Sequence, residues 1–358
     1  MEAWESVEKQ LVDVRDHTWT SFLQMYGGLR ALFYIAEVMP LTILSHSLRS
    51  KLRNLNKDDW RHLRQIIDEV WLLIQQDSER ITAGLYPAAV LNPTLNMGHW
   101  GQLLHIWMDG VRSTSRSRNF VSEIEDLEAL RDIPGHYRPN SNGGGNNGFL
   151  DPSATSLYEH QMELLFLGSM DAMRRLLLAP MKKAFRFSEG EGLRFLEIGC
   201  GAGRMTQFVK MAFPRAKITV LDANPIYLKE AQKNLREYNR IDFIQGDALD
   251  LPFRDKRFDV VYSSFLLHEV SLDIRRQILA EAFRVLGGRG FLGVVDLIQV
   301  DDCRELNWTL EQPWFVGQEG NLKDYGRNSL AGSLQRLGLS QVGTERGFLG
   351  KAVFGIRD

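Results

Sequence analysis

A chain of 358 residues is long enough for two domains of ordinary size. With 44% hydrophobic, 25% charged and 10% aromatic residues, its composition excludes a disordered, collagen-like or disulfide-framework protein. The net charge is −2 and neither half departs far from neutrality, so the cationic excess of a protein that neutralises many phosphates is missing and no nucleic-acid partner is expected.

The only cysteines are Cys200 and Cys303, which suits a reducing compartment. Met1 to Asp16 is acidic and lacks the basic-then-apolar order of a signal peptide, so a cytoplasmic location is expected. The most apolar stretch, Ala31 to Ser45, contains Glu37 and Pro40 and is too short to span a bilayer. It reads as a buried helix pair, with a membrane-surface or dimer contact as the alternative. A homodimer through the N-terminal helices is the matching partner expectation.

Residues 1–135 read as an all-α domain. Trp60, Leu63, Ile67, Val70, Trp71 and Ile74 recur at helical spacing, while Asp68, Glu69 and Asp77 fall on other faces. Asn56 with Asp58 and Asp59 opens this helix as a capping signal. Pro87 and Pro93 break the pattern, and a second helical run covers Trp100 to Val111.

Residues 136–189 form a bridge. Pro139 to Gly148 holds four glycines and four asparagines and reads as a loop, either a linker or a lid. Helical spacing then resumes from Pro152 to Phe187, with methionines that read as core packing. Arg174 and Arg175 could bind a carboxylate, with a solvated face as the commoner reading of an arginine pair on a helix.

From residue 190 the period changes. β-rich runs at Arg194–Ile198, Lys217–Leu221, Ile241–Gln245, Phe258–Tyr262 and Gly290–Asp296 alternate with helices at Arg204–Ala212, Pro225–Tyr238 and Leu272–Leu286. That order predicts βαβ units on a parallel sheet, with ligands at the carboxyl ends of the strands. Leu330 to Leu339 reads as a last helix and Lys351–Ile356 as a closing antiparallel strand.

The first of these strands runs into Gly199-Cys-Gly201-Ala-Gly203 and then a helix. Glycines at such a turn permit close approach of a ligand, and the helix start offers free N–H groups. A dinucleotide fingerprint would need a glycine at 204, where this chain has Arg204. Glu197-Ile-Gly-Cys-Gly-Ala-Gly203 instead resembles the cofactor loop of class I S-adenosylmethionine-dependent methyltransferases, and the resemblance spans roughly residues 190–358.

It implies a doubly wound, seven-stranded, mostly parallel α/β sheet with S-adenosylmethionine as cofactor. It also implies that Asp222, with Ala223 beside it, receives the ribose hydroxyls at the end of the second strand. Asp247 and Ala248 would meet the adenine, and Ser263 and Ser264 the methionine end. His268 and Glu269 would then begin a helix beside the transfer site. The turn Gly287-Gly-Arg-Gly290 departs from the family's usual Lys-Pro-Gly-Gly, far from the methyl group.

A sulfonium methyl is already activated, so the protein mainly aligns the nucleophile and excludes water. A hydroxyl acceptor would need a base; His268 is the candidate because its pKa can lie near neutrality, with Glu269 beside it. A hydrogen-bonded structural histidine is the competing reading. In related enzymes segments before the first strand fold over the cofactor, which makes Tyr137 and Tyr158 candidates to touch its carboxylate or the acceptor. Ordinary packing competes there too.

Residues 301–325, with Trp308, Trp314 and Phe315, resemble the family's substrate-recognition insertions and suggest a partly apolar small-molecule acceptor. A satellite core is the plainer alternative. No metal is expected: the eight histidines are scattered, and His99 and His105 lack ligand spacing. The expected activity is methyl transfer to oxygen or nitrogen of a small metabolite. The other readings are a non-catalytic cofactor-binding module holding a partner through 1–135, and an NAD-dependent oxidoreductase, which Arg204 and Gly246-Asp247-Ala248 oppose.

Overall fold

The computed structural model describes residues 2–44, 56–91, 152–185, 188–300, 302–310 and 320–358. Two long helices come first, α1 (Glu2–Leu44) and α2 (Lys57–Thr82). Asn56 caps α2, its side chain accepting from the amides of Asp58 and Asp59, while Asp59 returns a bond to the Asn56 amide. Three helices follow: α3 (Pro152–Leu165), α4 (Met170–Arg175) and α5 (Leu178–Ala184).

The α/β unit runs β1 (Arg194–Ile198), α6 (Arg204–Ala212), β2 (Lys217–Asp222), α7 (Pro225–Asn234), β3 (Ile241–Gln245) and β4 (Phe258–Ser264). It continues with α8 (Leu272–Val285), β5 (Leu286–Leu297), α9 (Gly320–Arg327), α10 (Leu330–Arg336), β6 (Leu339–Gly347) and β7 (Gly350–Arg357). The seven strands lie in the order β3-β2-β1-β4-β5-β7-β6. All pairs from β3 to β5 are parallel, and β7 runs antiparallel to both β5 and β6. The chain therefore reverses its direction of travel across the sheet between β1 and β4. In a sheet of this kind that switch point opens a crevice at the strands' carboxyl ends.

The strands form because they are apolar runs bounded by turns. Residues Phe195 to Ile198 of β1 are all buried, as a central parallel strand requires. α7 starts on Asn224, whose side chain accepts from the Ile226 amide, with Pro225 in the first helical position where no amide is needed.

The N-terminal helices share a core with the sheet. α2 covers the β6 edge: Leu73 is fully buried, and a Cβ on Gly347 would lie 2.5 Å from its Cδ1. Arg80 pairs with Glu345 at 2.5 Å and Arg346 with Glu69 at 2.7 Å across the same contact. An otherwise open edge strand is thereby covered. α1 runs antiparallel to α2, with Thr20 hydrogen-bonded to Thr82 and Gly27 against Ile74.

Several expectations change. Ala31 to Leu44 is the end of one helix rather than a helix pair, since α1 continues past Pro40. Ala31 is buried, but Leu32 is 61% exposed. On α2 the inward face is Val70, Leu73, Asp77, Ser78 and Ile81, one step round from the face that was expected. Trp60, Leu63, Ile67 and Trp71 remain 39–59% exposed, and Asp77 is buried because Arg175 neutralises it. Arg174 and Arg175 are likewise buried and ion-paired, not a solvated face. α7 ends at Asn234 and α10 at Arg336, and the edge strand β6 was not expected at its position. Among the described residues no helix is long and apolar enough to cross a membrane. The 135/136 boundary and the Gly/Asn loop lie outside the described residues, as do Trp100 to Val111, Trp314 and Phe315.

Candidate active site

The loop after β1 is held by backbone contacts to β2. The amides of Gly199 and Cys200 donate to the Leu221 carbonyl at 2.8 and 3.1 Å. Gly199, Gly201 and Gly203 all have left-handed φ values, +70°, +51° and +83°. A Cβ at 199 or 203 would press on Leu266 or Leu235 at 2.8 Å. At 201 the nearest atom is 4.0 Å away, so that side of the loop is open.

Asp222, the last residue of β2, fixes this loop. Its Oδ2 accepts from the Gly201 amide at 2.8 Å and its Oδ1 from the Asn224 amide at 2.9 Å. Burial pushes the carboxyl up, and the amides of Asn224, Gly201 and neighbouring Ala223 counter that by favouring the anion. A carboxylate has about four acceptor positions, so capacity remains for a ligand's hydroxyls. The Gly246 amide donates to the Asp222 carbonyl at 3.1 Å, joining the turn after β3 to the same tip. There Asp247 accepts from the Leu249 amide at 2.9 Å, and Ala248 is buried.

Glu197 sits beneath the loop. It is 1% exposed, and one of its oxygens accepts from the Thr206 hydroxyl and from Tyr262 OH, the latter at 2.9 Å. Burial raises its carboxyl to about 8, although both hydroxyls act the other way.

The carboxyl end of β4 lies directly beside β1, with Ser263 opposite Ile198. The Ser263 and Ser264 hydroxyls are buried, and neither has a hydrogen-bond partner among the described residues. A buried hydroxyl without a partner costs stability unless a ligand completes it. Two such groups at the tip of β4, next to the end of β1, fit a polar ligand laid across the strand tips.

Phe265 follows with φ +51°, an unusual value for a bulky residue. Next come His268 and Glu269, and the structure adds a group that was not foreseen. Asp296, fully buried near the end of β5, contacts His268 Nδ1 at 2.7 Å. Glu269 Oε1 lies 3.2 Å from Nε2. Burial opposes charge on the ring, but Asp296 and then Glu269 outweigh it and hold the imidazolium up to about 10. The only signal for Asp296 in the sequence is an acid closing an apolar strand.

Above the loop, Arg204 reaches back to Asp171 of α4, with its guanidinium 4.8 Å from the Phe208 ring centre. Arg30 of α1 binds Glu163 and Asp171 at 2.8 and 3.1 Å. Against the penalty of burial, Arg204, Arg30 and Arg174 keep Asp171 well below the usual carboxylate range. Arg204 thus explains itself: the position takes a cation that ties α6, the helix after the glycine turn, to α4 and through Asp171 to α1.

Tyr158 belongs to α3, and its side chain lies outside the described residues, as does all of Tyr137. Trp308 stacks on His62 of α2 at 4.0 Å, so it packs against the N-terminal helices. Among the described residues no three His, Cys, Asp or Glu side chains are grouped to hold a metal ion.

Comparison with known proteins gives a consistent picture. Residues 195–290 match the methyltransferase domain family. The demethylmenaquinone methyltransferase of Lactobacillus johnsonii is 32% identical over 157 residues, 42% of this chain and 61% of that protein. The phthiotriol/phenolphthiotriol dimycocerosates methyltransferase of Mycobacterium leprae is 38% identical over 106 residues, 30% and 38% of the two chains. The chain therefore spans less than two thirds of these relatives. A solved O-methyltransferase family protein from Burkholderia thailandensis aligns over 74% of each chain with 17% identity and a TM-score of 0.49.

Proposed function

We propose, from the match of residues 195–290 to the methyltransferase domain family, that this chain uses S-adenosylmethionine to methylate a small-molecule acceptor at oxygen or nitrogen. The observation that carries the reading is the group of strand tips at the switch point. There Asp222 holds the Gly201 amide, Asp247 follows the neighbouring β3, and the two unpartnered hydroxyls of Ser263 and Ser264 end β4 on the other side of β1. The two named relatives are methyltransferases of demethylmenaquinone and of phthiotriol compounds, which supports a small molecule as acceptor.

In this reading Asp222 receives the ribose hydroxyls, and Asp247 with the Ala248 backbone faces the adenine. The glycine loop gives close approach, and Ser263 and Ser264 face the methionine end. Glu197 acts from below, orienting the loop through Thr206 on α6 and Tyr262 on β4. When bound, the cofactor supplies a sulfonium methyl group activated for in-line displacement. The protein's part is alignment and exclusion of water, and His268 and Glu269 stand where the acceptor would meet that methyl.

Calorimetric titration of the intact chain with S-adenosylhomocysteine tests the reading. Binding is expected, and Asp222→Ala should weaken it by roughly tenfold or more, the loss of one charge-assisted pair. No binding, or equal binding by the variant, overturns it.

A further inference from the structure

We infer that His268 serves as a fixed hydrogen-bond donor to an acceptor that binds as an oxyanion, a phenol or enol rather than an aliphatic alcohol. Glu269 keeps that oxyanion's place until the acceptor arrives. The inference rests on the methyl-transfer reading and names the acceptor class for the same site.

The geometry is the argument. Asp296 is closed to solvent and accepts from the amides of Leu267, His268 and Leu297 at 2.8, 3.3 and 2.7 Å. Three amide donors fix this carboxylate in place, and its Oδ1 faces Nδ1 of His268. The other ring nitrogen faces the Glu269 carboxylate. A ring with a carboxylate on each nitrogen donates from both, so it carries both protons and has no lone pair left to take a third. A general base for an alcohol is what this arrangement lacks.

The surroundings agree. The rings of Phe265 and Tyr325 stand edge-on to His268 at 6.4 and 6.3 Å and leave its side chain 15% exposed. Among the described residues the remaining neighbouring cation is Arg275 of α8, which lies over Tyr325 and donates to the Leu267 and Val270 carbonyls, with Asp324 of α9 3.7 Å from it. Of the two carboxylates only Glu269 reaches solvent, at 41% of its side chain. An exposed partner of this kind leaves at little cost, whereas Asp296 cannot. Exchanging Glu269 for an oxyanion keeps the local charge constant, and the half-buried Phe265 ring favours an aromatic body behind that oxygen.

The balance is simple. The acceptor gives its proton to bulk water on entry. Its oxygen pair then forms the bond to the methyl carbon as the methyl–sulfur bond breaks, and that bond's pair stays on sulfur. No proton passes through His268.

Two measurements on the intact chain with S-adenosylhomocysteine test this without turnover. Nitrogen-15 NMR of the histidines should show His268 with both ring nitrogens protonated at pH 7 and a midpoint near 10. 4-Nitrophenol, followed by its phenolate absorbance, should ionise when bound at least one pH unit below its value in water. His268→Gln should abolish that shift, and Glu269→Gln should tighten the probe several-fold. A neutral His268 ring at pH 7 overturns the inference whatever the variants do. So does a bound nitrophenol that titrates as in water, or none bound at millimolar concentration. If S-adenosylhomocysteine itself fails to bind, the methyl-transfer reading falls, while the ionisation of His268 is measured regardless.

Discussion

Asp77 of α2 and Arg175 at the end of α4, 98 positions apart in the chain, form an ion pair closed to solvent. Nη2 lies 2.5 Å and Nε 3.2 Å from Oδ2, and Nε is also 3.0 Å from Oδ1. Tyr86 adds a hydroxyl donor to Asp77 at 2.7 Å, and the guanidinium lies 5.0 Å from the Phe208 ring centre on α6. The pair joins α2 to α4 and, through the Phe208 ring, to the unit that carries the Gly199–Gly203 turn. Removing one partner leaves a buried charge unmatched. Asp77→Ala should therefore lower stability by about 3–5 kcal/mol in urea unfolding. The double variant Asp77→Leu with Arg175→Met should recover most of that loss.

The unpartnered serines at the tip of β4 predict an opposition between stability and binding. Ser263→Ala and Ser264→Ala each remove a hydroxyl that is buried without a partner. Thermal unfolding of the ligand-free variants should match the parent or gain about 1 kcal/mol. Affinity for S-adenosylhomocysteine should fall by roughly 5- to 10-fold in the same variants, the worth of about one hydrogen bond. A loss of stability with unchanged affinity would assign these hydroxyls to the fold.

Gly201 and Gly203 should separate in the same way. Both have left-handed φ, so alanine costs about 1–2 kcal/mol at either. At 203 the new Cβ also meets Leu235 at 2.8 Å, whereas at 201 it has open space. Gly203→Ala should be the less stable protein in denaturant titration. Gly201→Ala should fold and lose at least about tenfold in cofactor affinity, because its methyl occupies the open flank.

Two strongly raised groups, Glu197 and His268, make stability fall as pH rises. Glu197 moves from an ordinary 4.5 to about 8, chiefly through burial, and His268 from 6.5 to about 10, through Asp296 and Glu269 against burial. A group raised on folding stabilises fully below its unfolded value, and that contribution is lost as pH passes through the folded value. Melting temperature should decline between about pH 5 and pH 10. Glu197→Gln should flatten the lower part of that decline and His268→Gln the upper part. A melting temperature that rises over this range would contradict both assignments.

Legibility in the sequence followed distance along the chain. Arg204–Ala212 as a helix and Ile241–Gln245 as a strand agree with the structure to the residue, because a glycine turn and a β-rich run mark them locally. β6 escaped notice because an edge strand with half-exposed positions carries little alternation. Asp296 could be read only as an acid at a strand end. Its importance arises because β4 and β5 are neighbours, which puts its carboxylate under the His268 ring.

Sequence alone determined the order at the strand tips: a strand, a glycine turn, a helix, then an acid after each of the next two strands. These are short-range matters of allowed φ and of backbone donors at a helix start. Tertiary structure alone decided the charge carried by His268, the burial of Asp77 with Arg175, and the face of α2 turned inward. Each depends on partners brought together from far along the chain, where exclusion of water makes a carboxylate at 3 Å count for more than any local preference.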